Sequence, residues 1–314
     1  MRLILNKEGS FSMTKIIFDC DPGIDDGVAL AVALTDPALE LELISTVAGN
    51  VTVDKTSKNA LKLVEFFNKE VPVAAGAKKP LIKQYEDASH IHGQSGMDGH
   101  DFPEPQRTVV AKDAVVAMHE LLQASPEPLT ILATGAYTNL ALLLAQYPED
   151  KAKIKQVILM GGTLSRGNMS SVAEFNVYSD PQAAEIVFKS GLGLVMVGLD
   201  VTLKGRITEA SQQAIAKCGP AGQMLDGIIS ADGDKTEAGT AIHDLQTVFY
   251  LQHPEAFTTK DYWVDVVTEG PALGATVADV RAAYHQETNV KVCLDIDTDA
   301  FNEWFVNKVK DNMQ

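Results

Sequence analysis

Cysteine is scarce. Cys20, Cys218 and Cys293 are the only three in 314 residues, and no short spacing pairs them. That pattern argues against a disulfide framework or a cysteine-based zinc site and fits a reducing compartment, with the cytoplasm as the default. Positive charge is also short: 26 Lys and Arg stand against 42 Asp and Glu, a net of −16. A nucleic acid or an anionic membrane surface is therefore a poor partner. No hydrophobic run approaches a membrane-spanning length, and the opening MRLILNKEGSFS lacks the apolar core and cleavage site of a signal peptide. No Gly-x-Gly-x-x-Gly follows the first apolar run, which disfavours a dinucleotide-binding protein. Internal repeats, low-complexity tracts and composition breaks are missing too. A single domain over residues 13–314 is expected, preceded by a flexible N-terminal extension at 1–12, for which an edge strand from Arg2 to Leu5 is the alternative.

Acid, by contrast, is concentrated. Asp19-Cys20-Asp21-Pro22-Gly23-Ile24-Asp25-Asp26 packs four carboxylates into eight residues. Lys15 to Phe18 predicts a short buried strand, and Ile24 to Leu34 predicts the helix after it, so the acids occupy a strand-to-helix turn. In a parallel α/β sheet such turns lie at the carboxyl ends of the strands, where ligands bind. Crowded carboxylates raise one another's pKa, so a fold that gathers them supplies a cation or keeps one protonated. Asp25 and Asp26 also fit a second use, complementing the helix N-terminus, but four acids exceed that need.

Alternation of short apolar runs with helical spacing continues down the chain. Strands are expected at 41–48, 71–74, 129–133, 156–160 and 192–197, with helices at 54–68 (N-cap Asp54), 112–123, 138–146 and from Asp180-Pro181 onward. The fold class is α/β: a Rossmann-like domain with a mainly parallel central sheet flanked by helices. The rest is less regular, with helices at 208–217, 222–229, 241–252 and 299–310, strands at 262–268 and 290–294, and loops at 76–107 and 231–239. Asn50, Thr134 and the stretch from Asn168 through Glu174 to Asn176 fall just past strand ends, like the acid cluster. Carboxylates and amides are hard oxygen ligands suited to Ca²⁺ or Mg²⁺. His90 and His92 form the only closely spaced histidine pair, and they read as loop histidines with one near substrate.

On these segments the chain resembles the inosine-uridine preferring nucleoside hydrolases. The resemblance rests on DCDPGIDD at 19–26, Gly49-Asn50, HIHGQSG at 90–96, MGG at 160–162, SVAEFN at 171–176 and His243-Asp244, and runs from about Lys15 to the C-terminus. It implies the nucleoside hydrolase fold and one Ca²⁺, with a water on it, held by Asp21, Asp26, the Thr134 carbonyl and Asp244. Asp21 is also the implied general base and His243 the implied general acid for the leaving base. Asp25, Asn50, Asn168, Glu174, Asn176 and Asp244 would surround the ribose hydroxyls. Met160 would line the sugar pocket, with Phe175 near it and His92 near the sugar or base. Asp19 is left to support the turn. A ribonucleoside is the implied substrate, and a homodimer or homotetramer the implied assembly.

Two departures from the family pattern stand out. Some relatives use a tyrosine upstream of the His-Asp pair, yet GIISADGDKTEAGTAI at 227–242 has no aromatic residue, and Leu245 follows Asp244 where close relatives carry proline. Purine and pyrimidine preference therefore stay open. The residue types suit the implied chemistry, because cleaving an N-glycosidic bond builds positive charge on the ribose that carboxylates stabilise. An aspartate-dependent Mg²⁺ phosphatase is the rival enzyme, but it needs a positioned lysine and leaves AEFN and HIHG unexplained. A calcium-binding module needs no amides at 50, 168 and 176. Another N-riboside, such as nicotinamide riboside, is the alternative substrate.

Overall fold

Strand parity sorts the apolar residues into two cores. The computed structural model describes residues 13–313 apart from the side chains of His90 and His92, so the extension expected at 1–12 and its alternative edge strand lie outside the described residues. The first half holds β1 (Thr14–Cys20), α1 (Ile24–Thr35), β2 (Leu39–Thr46), α2 (Val53–Phe66), β3 (Val73–Ala75), α3 (Ser89–His92), α4 (Ala114–Ala124), β4 (Leu129–Ala133) and α5 (Thr138–Gln146). Next come β5 (Ile154–Met160), α6 (Phe175–Ser179), α7 (Pro181–Phe188), β6 (Leu194–Val197), α8 (Leu199–Thr202), α9 (Glu209–Ile215) and α10 (Gly219–Ala231). The last are β7 (Lys235–Thr236), β8 (Gly239–Thr240), α11 (Leu245–Gln252), β9 (Phe257–Tyr262), β10 (Val264–Val266), β11 (Thr276–Ala278), β12 (Val290–Ile296) and α12 (Thr298–Asn312).

Eight strands form one sheet in the order β3-β2-β1-β4-β5-β6-β12-β9, parallel throughout except for β9 against β12. Ile16, Phe18, Leu132 and Ile158 point to the face covered by α1, α2, α10, α11 and α12. Ile17, Ile131, Val157 and Leu159 point to the face covered by α4, α5 and α7. Both faces are buried, which explains the continuous apolar runs. The sequence order of the strands reverses beside β1, whose neighbours are β2 and β4. At such a switch point the two flanking loops turn to opposite faces and open a crevice at the carboxyl ends of the strands. The chain is thus a single α/β domain whose crevice lies where Asp21 and Thr134 emerge.

Several local expectations are corrected. The strand expected at 262–268 is two: β9 ends at Tyr262, and β10 leaves the main sheet to pair with β11. The loop expected at 231–239 contains β7 and leads into β8, whose Thr240 bonds to Ile207 across a backbone bridge. The loop at 76–107 contains α3. Thr52, not Asp54, occupies the N-cap position of α2, without a side-chain capping bond, and Asp54 sits in the first turn, where an acid complements the helix dipole. Helix α11 begins only at Leu245, which leaves His243 and Asp244 in the turn before it. Among the described residues, no helix is long and apolar enough to cross a membrane.

Candidate active site

The turn after β1 is tied together by its own acids. Asp26, in the first turn of α1, accepts the backbone N–H groups of Gly23 at 3.2 Å and Asp21 at 3.3 Å, so the helix-capping use of this residue is real. The same carboxylate also accepts Thr134 Oγ1 at 2.7 Å and Asn50 Nδ2 at 3.1 Å, drawing the ends of β4 and β2 to the turn. Asp21 Oδ2 accepts the Asn50 backbone N–H at 2.7 Å, whereas Asp21 Oδ1 is buried with no hydrogen-bond partner among the described residues. Asp19 goes the other way. Its Oδ1 accepts Ser45 Oγ at 2.6 Å and Asn139 Nδ2 at 2.8 Å, the supporting role expected of it.

Close approach of backbone fixes Asp21 as much as hydrogen bonding does. A Cβ on Gly49 would fall 1.9 Å from Asp21 Oδ2. Gly49→Ala is therefore expected to displace the Asp21 carboxylate and, with Asp21 the expected general base, to cut kcat by about 100-fold or more, within the range of about 10²- to 10⁴-fold usual for such a group. Steady-state kinetics check this, and unchanged kcat in a folded variant would contradict it.

A carboxylate oxygen from each of Asp25, Asp26 and Asp244 lies within 4.8 Å of the other two. Two of these, Asp26 and Asp244, belong to the expected metal-ligand set. The third, Asp25, was expected at the ribose, while Asp21 and Thr134 border the trio through their bonds to Asp26. Burial, then the charge of Asp25, pushes Asp26 up to about 7. Burial and the charge of Asp26 hold Asp21 well above the usual carboxylate range, and burial with the charges of Asp25, Asp26 and Asp21 does the same for Asp244. Asp244 occupies the N-cap position of α11 without capping it, and its carboxylate lies instead beside those of Asp25 and Asp26. Buried acids with raised pKa values and an orphaned Asp21 oxygen form an oxygen-only donor set. Such a set fits a hard divalent cation.

Across the crevice, the ends of β5 and α6 build the opposite wall. Gly162, at φ 74°, turns its N–H onto Glu174 Oε2 at 2.8 Å, a backbone conformation that favours glycine. Glu174 caps α6, accepting the Asn176 N–H at 2.9 Å and the Val177 N–H at 3.3 Å; burial raises its pKa against those bonds. Asn176 Nδ2 donates to the Thr134 carbonyl at 2.7 Å and the Met160 carbonyl at 3.1 Å. Between the two walls lies a cavity of about 430 Å³ lined by Asp25, Asn50, Thr134, Met160, Asn168, Glu174, Phe175, Asn176, His243 and Asp244. Every expected site residue except Asp21, Asp26 and His92 therefore lines one cavity. Asp21 and Asp26 lie buried beneath it, and the His92 side chain is outside the described residues.

His243 Nδ1 lies 2.7 Å from Thr202 Oγ1, and Nε2 lies 3.6 Å from Asp234 Oδ2. Burial opposes the charged ring, but the close contact with Asp234 and the charges of Asp25, Asp234 and Asp232 prevail and raise its pKa. The same contact lowers Asp234, while burial and Asp25 push Asp232 up to about 6. Asp232, Asp234, Arg166, Ile91 and Leu199 line the cavity without having been expected there. One signal did exist for the two acids: Asp232-Gly233-Asp234 repeats the Asp-x-Asp spacing of Asp19 and Asp21 beside a glycine. Among the described lining residues there is no lysine, as a phosphatase would require.

A family model described as inosine-uridine preferring nucleoside hydrolase matches residues 16–303. The chain is 44% identical over 291 residues to the non-specific ribonucleoside hydrolase RihC of Salmonella newport, covering 92% of this chain and 95% of that one. Among solved structures, the purine-preferring ribonucleoside hydrolase from Gardnerella vaginalis superposes with a TM-score of 0.88 at 30% identity, covering 95% of this chain and 98% of that one. A plant nucleoside hydrolase, PpNRh1, superposes with a TM-score of 0.87 at 27% identity, covering 95% and 99%.

Proposed function

Because the chain belongs to the inosine-uridine preferring nucleoside hydrolase family, we propose that its crevice cleaves ribonucleosides with Asp21 as general base and His243 as general acid. Family membership makes the protein a nucleoside N-glycosidase; the division of labour among its residues is our assignment. One observation carries it: Asp25 and Asp244, more than two hundred residues apart in sequence, meet the Asn50 and Asn176 amides at one cavity, with Asp26 and Asp21 buried against them. The unpaired Oδ1 of Asp21 is the acceptor available to a water proton. As that proton moves to Asp21, the water oxygen bonds to C1′ and the C1′–N bond breaks. Its electron pair goes to the base, whose ring nitrogen takes the Nε2 proton of His243, so one water is consumed and base and ribose are released.

Charge developing on the ribose ring would be stabilised by the surrounding acids. Asp25, Asn50, Asn168, Glu174, Asn176 and Asp244 are assigned to the sugar hydroxyls, with Met160 and Phe175 packing beside it and His92 near the sugar or base. Glu174 and the Asn176 amide nitrogen are already engaged with backbone, which makes Asp25 the leading acceptor for a vicinal hydroxyl pair. The metal is assigned as Ca²⁺, held by Asp21, Asp26, Asp244 and the Thr134 carbonyl with Asp25 alongside; it would neutralise the clustered acids and lower the pKa of the attacking water. We also assign the enzyme to cytoplasmic nucleoside salvage or catabolism, as a homodimer or homotetramer.

The curated relatives are named non-specific, and no aromatic residue lies in 227–242 to stack on one base type, so broad base tolerance is expected. Inosine, adenosine, uridine and cytidine should all be cleaved. Their 2′-deoxy forms should react about 100-fold more slowly or worse, because a site built to bond a hydroxyl rejects the analogue lacking it. Assay of reducing sugar release across this panel tests the assignment. Equal turnover of ribo and deoxyribo substrates would refute the hydroxyl contacts.

A further inference from the structure

Delivering a proton to a departing base requires the imidazole of His243 to be held in one orientation, with Nε2 toward the cavity. We propose that Asp234, clamped by Arg206, is the positioning residue that holds His243 for this transfer. The inference rests on the assignment of His243 as general acid.

Two contacts fix the ring, Thr202 Oγ1 at 2.7 Å from Nδ1 and Asp234 Oδ2 at 3.6 Å from Nε2. The second is an ion-pair distance and exceeds a hydrogen bond. Asp234 thus restrains Nε2 electrostatically without locking up its proton, which stays free for a ring nitrogen in the cavity that Asp234 also lines. A carboxylate on a polar loop would by itself do this poorly, because exposed ion pairs contribute little. Arg206 supplies what the loop lacks. It is 8% exposed, and its Nη1 donates to the backbone carbonyls of Asp234 at 2.9 Å and Gly239 at 3.1 Å. Its Nη2 lies 3.4 Å from Asp234 Oδ1, and its Nε donates to the Leu203 carbonyl at 3.1 Å. The planar guanidinium therefore joins both sides of the β7–β8 hairpin and holds the Asp234 side chain from behind. From within the loop, Asp232 Oδ1 accepts the Asp234 N–H at 2.6 Å. The segment 227–242, which lacks an aromatic side chain, thus presents a braced carboxylate at the leaving base.

The test compares two leaving groups in the full-length enzyme with added Ca²⁺. Inosine needs its base protonated; p-nitrophenyl riboside loses a phenolate that needs no proton. In His243→Ala the ratio of inosine to aryl riboside turnover should fall by about 10²- to 10⁴-fold, the usual contribution of a general acid. In Asp234→Ala the same ratio should fall by about tenfold or more, through kcat and not KM, and the change should add little in the double variant, as expected of residues acting as one unit. Asp234→Asn, which keeps the shape, should lower the ratio too and serves if the alanine variant does not fold. Arg206→Lys, which loses the fork, should lower it in the same direction. Equal losses on both substrates, or an unchanged ratio in both Asp234 variants, would overturn the inference. If His243→Ala itself leaves the ratio unchanged, the assignment of His243 falls and takes this inference with it. If His243→Ala lowers the ratio and the Asp234 variants do not, only the positioning role falls.

Discussion

Asp21→Ala is expected to lower kcat on inosine by about 10³-fold or more while leaving the protein folded, near the upper part of the range for loss of a general base. The fold should tolerate the change because Asp21 is a buried charge under repulsion. Burial and Asp26 hold its pKa well above the usual range, so removing it relieves a cost and eases the ionisation of Asp26 and Asp244. Against that gain stands one lost acceptor. The Asn50 N–H would be left without its 2.7 Å partner, a penalty of about 1–3 kcal/mol. Asp21→Asn keeps an acceptor oxygen for Asn50 and removes the base, so it should match the alanine variant in lost turnover and exceed it in Tm. Kinetics paired with thermal unfolding separate the two effects. Turnover close to wild type in either variant would remove Asp21 from the chemistry.

Chelation should abolish most activity and should also change how stability responds to pH. Burial raises Asp19 to about 6, and burial with the charge of Asp25 raises Asp26 to about 7, while burial and neighbouring carboxylates also hold Asp21 and Asp244 well above the usual carboxylate range. A carboxyl whose folded pKa lies above its unfolded value of about 3.9 contributes its stability in full below that value and loses it as pH rises through the folded value. In chelator, Tm should therefore fall as pH rises from about 4 through about 7, the range over which Asp19 and Asp26 ionise. Saturating Ca²⁺ should flatten the curve, because a bound cation pairs with the ionised acids and a ligand specific to the folded state raises its stability. Melting curves with and without Ca²⁺ across that range decide it. A metal-free Tm that climbs with pH, or parallel curves in the two conditions, would refute the cation site.

What the sequence revealed was local, and what it hid was non-local. Asp19 to Asp26 announced a strand-to-helix turn because β1 and α1 are short, contiguous and strongly patterned. Cap chemistry likewise marked Asp180-Pro181, where Asp180 accepts the Ala183 N–H and Pro181 opens α7. The division of the four acids was harder to see. Asp19 and Asp21 share strand parity, yet β1 ends at Cys20, so Asp19 turns toward α5 and Asp21 toward Asn50. Asp25 joins Asp26 and Asp244 through a contact spanning most of the chain, which no period of 2 or 3.6 encodes. The start of α11 lies later than the apolar spacing from Ala241 onward suggests, because Thr240 of β8 pairs with Ile207 and the carboxylate of Asp244 is drawn to those of Asp25 and Asp26, leaving His243 and Asp244 in a turn before Leu245. Asp232 and Asp234 looked like ordinary loop acids because only Arg206 and His243, both distant or across a turn, give them their surroundings.

The strand order has a consequence for synthesis. Asp21 and Asp26 leave the ribosome early, whereas Asp244 follows α10 and the β7–β8 hairpin, and β12 inserts beside β6 later still. Contacts this distant in sequence form slowly and late. A nascent chain halted before α11 would carry the acidic turn without its counterpart across the crevice. Catalytic competence thus arrives all at once, only after Asp244 and α11 have been made, and a product interrupted before them would be inert instead of partly active.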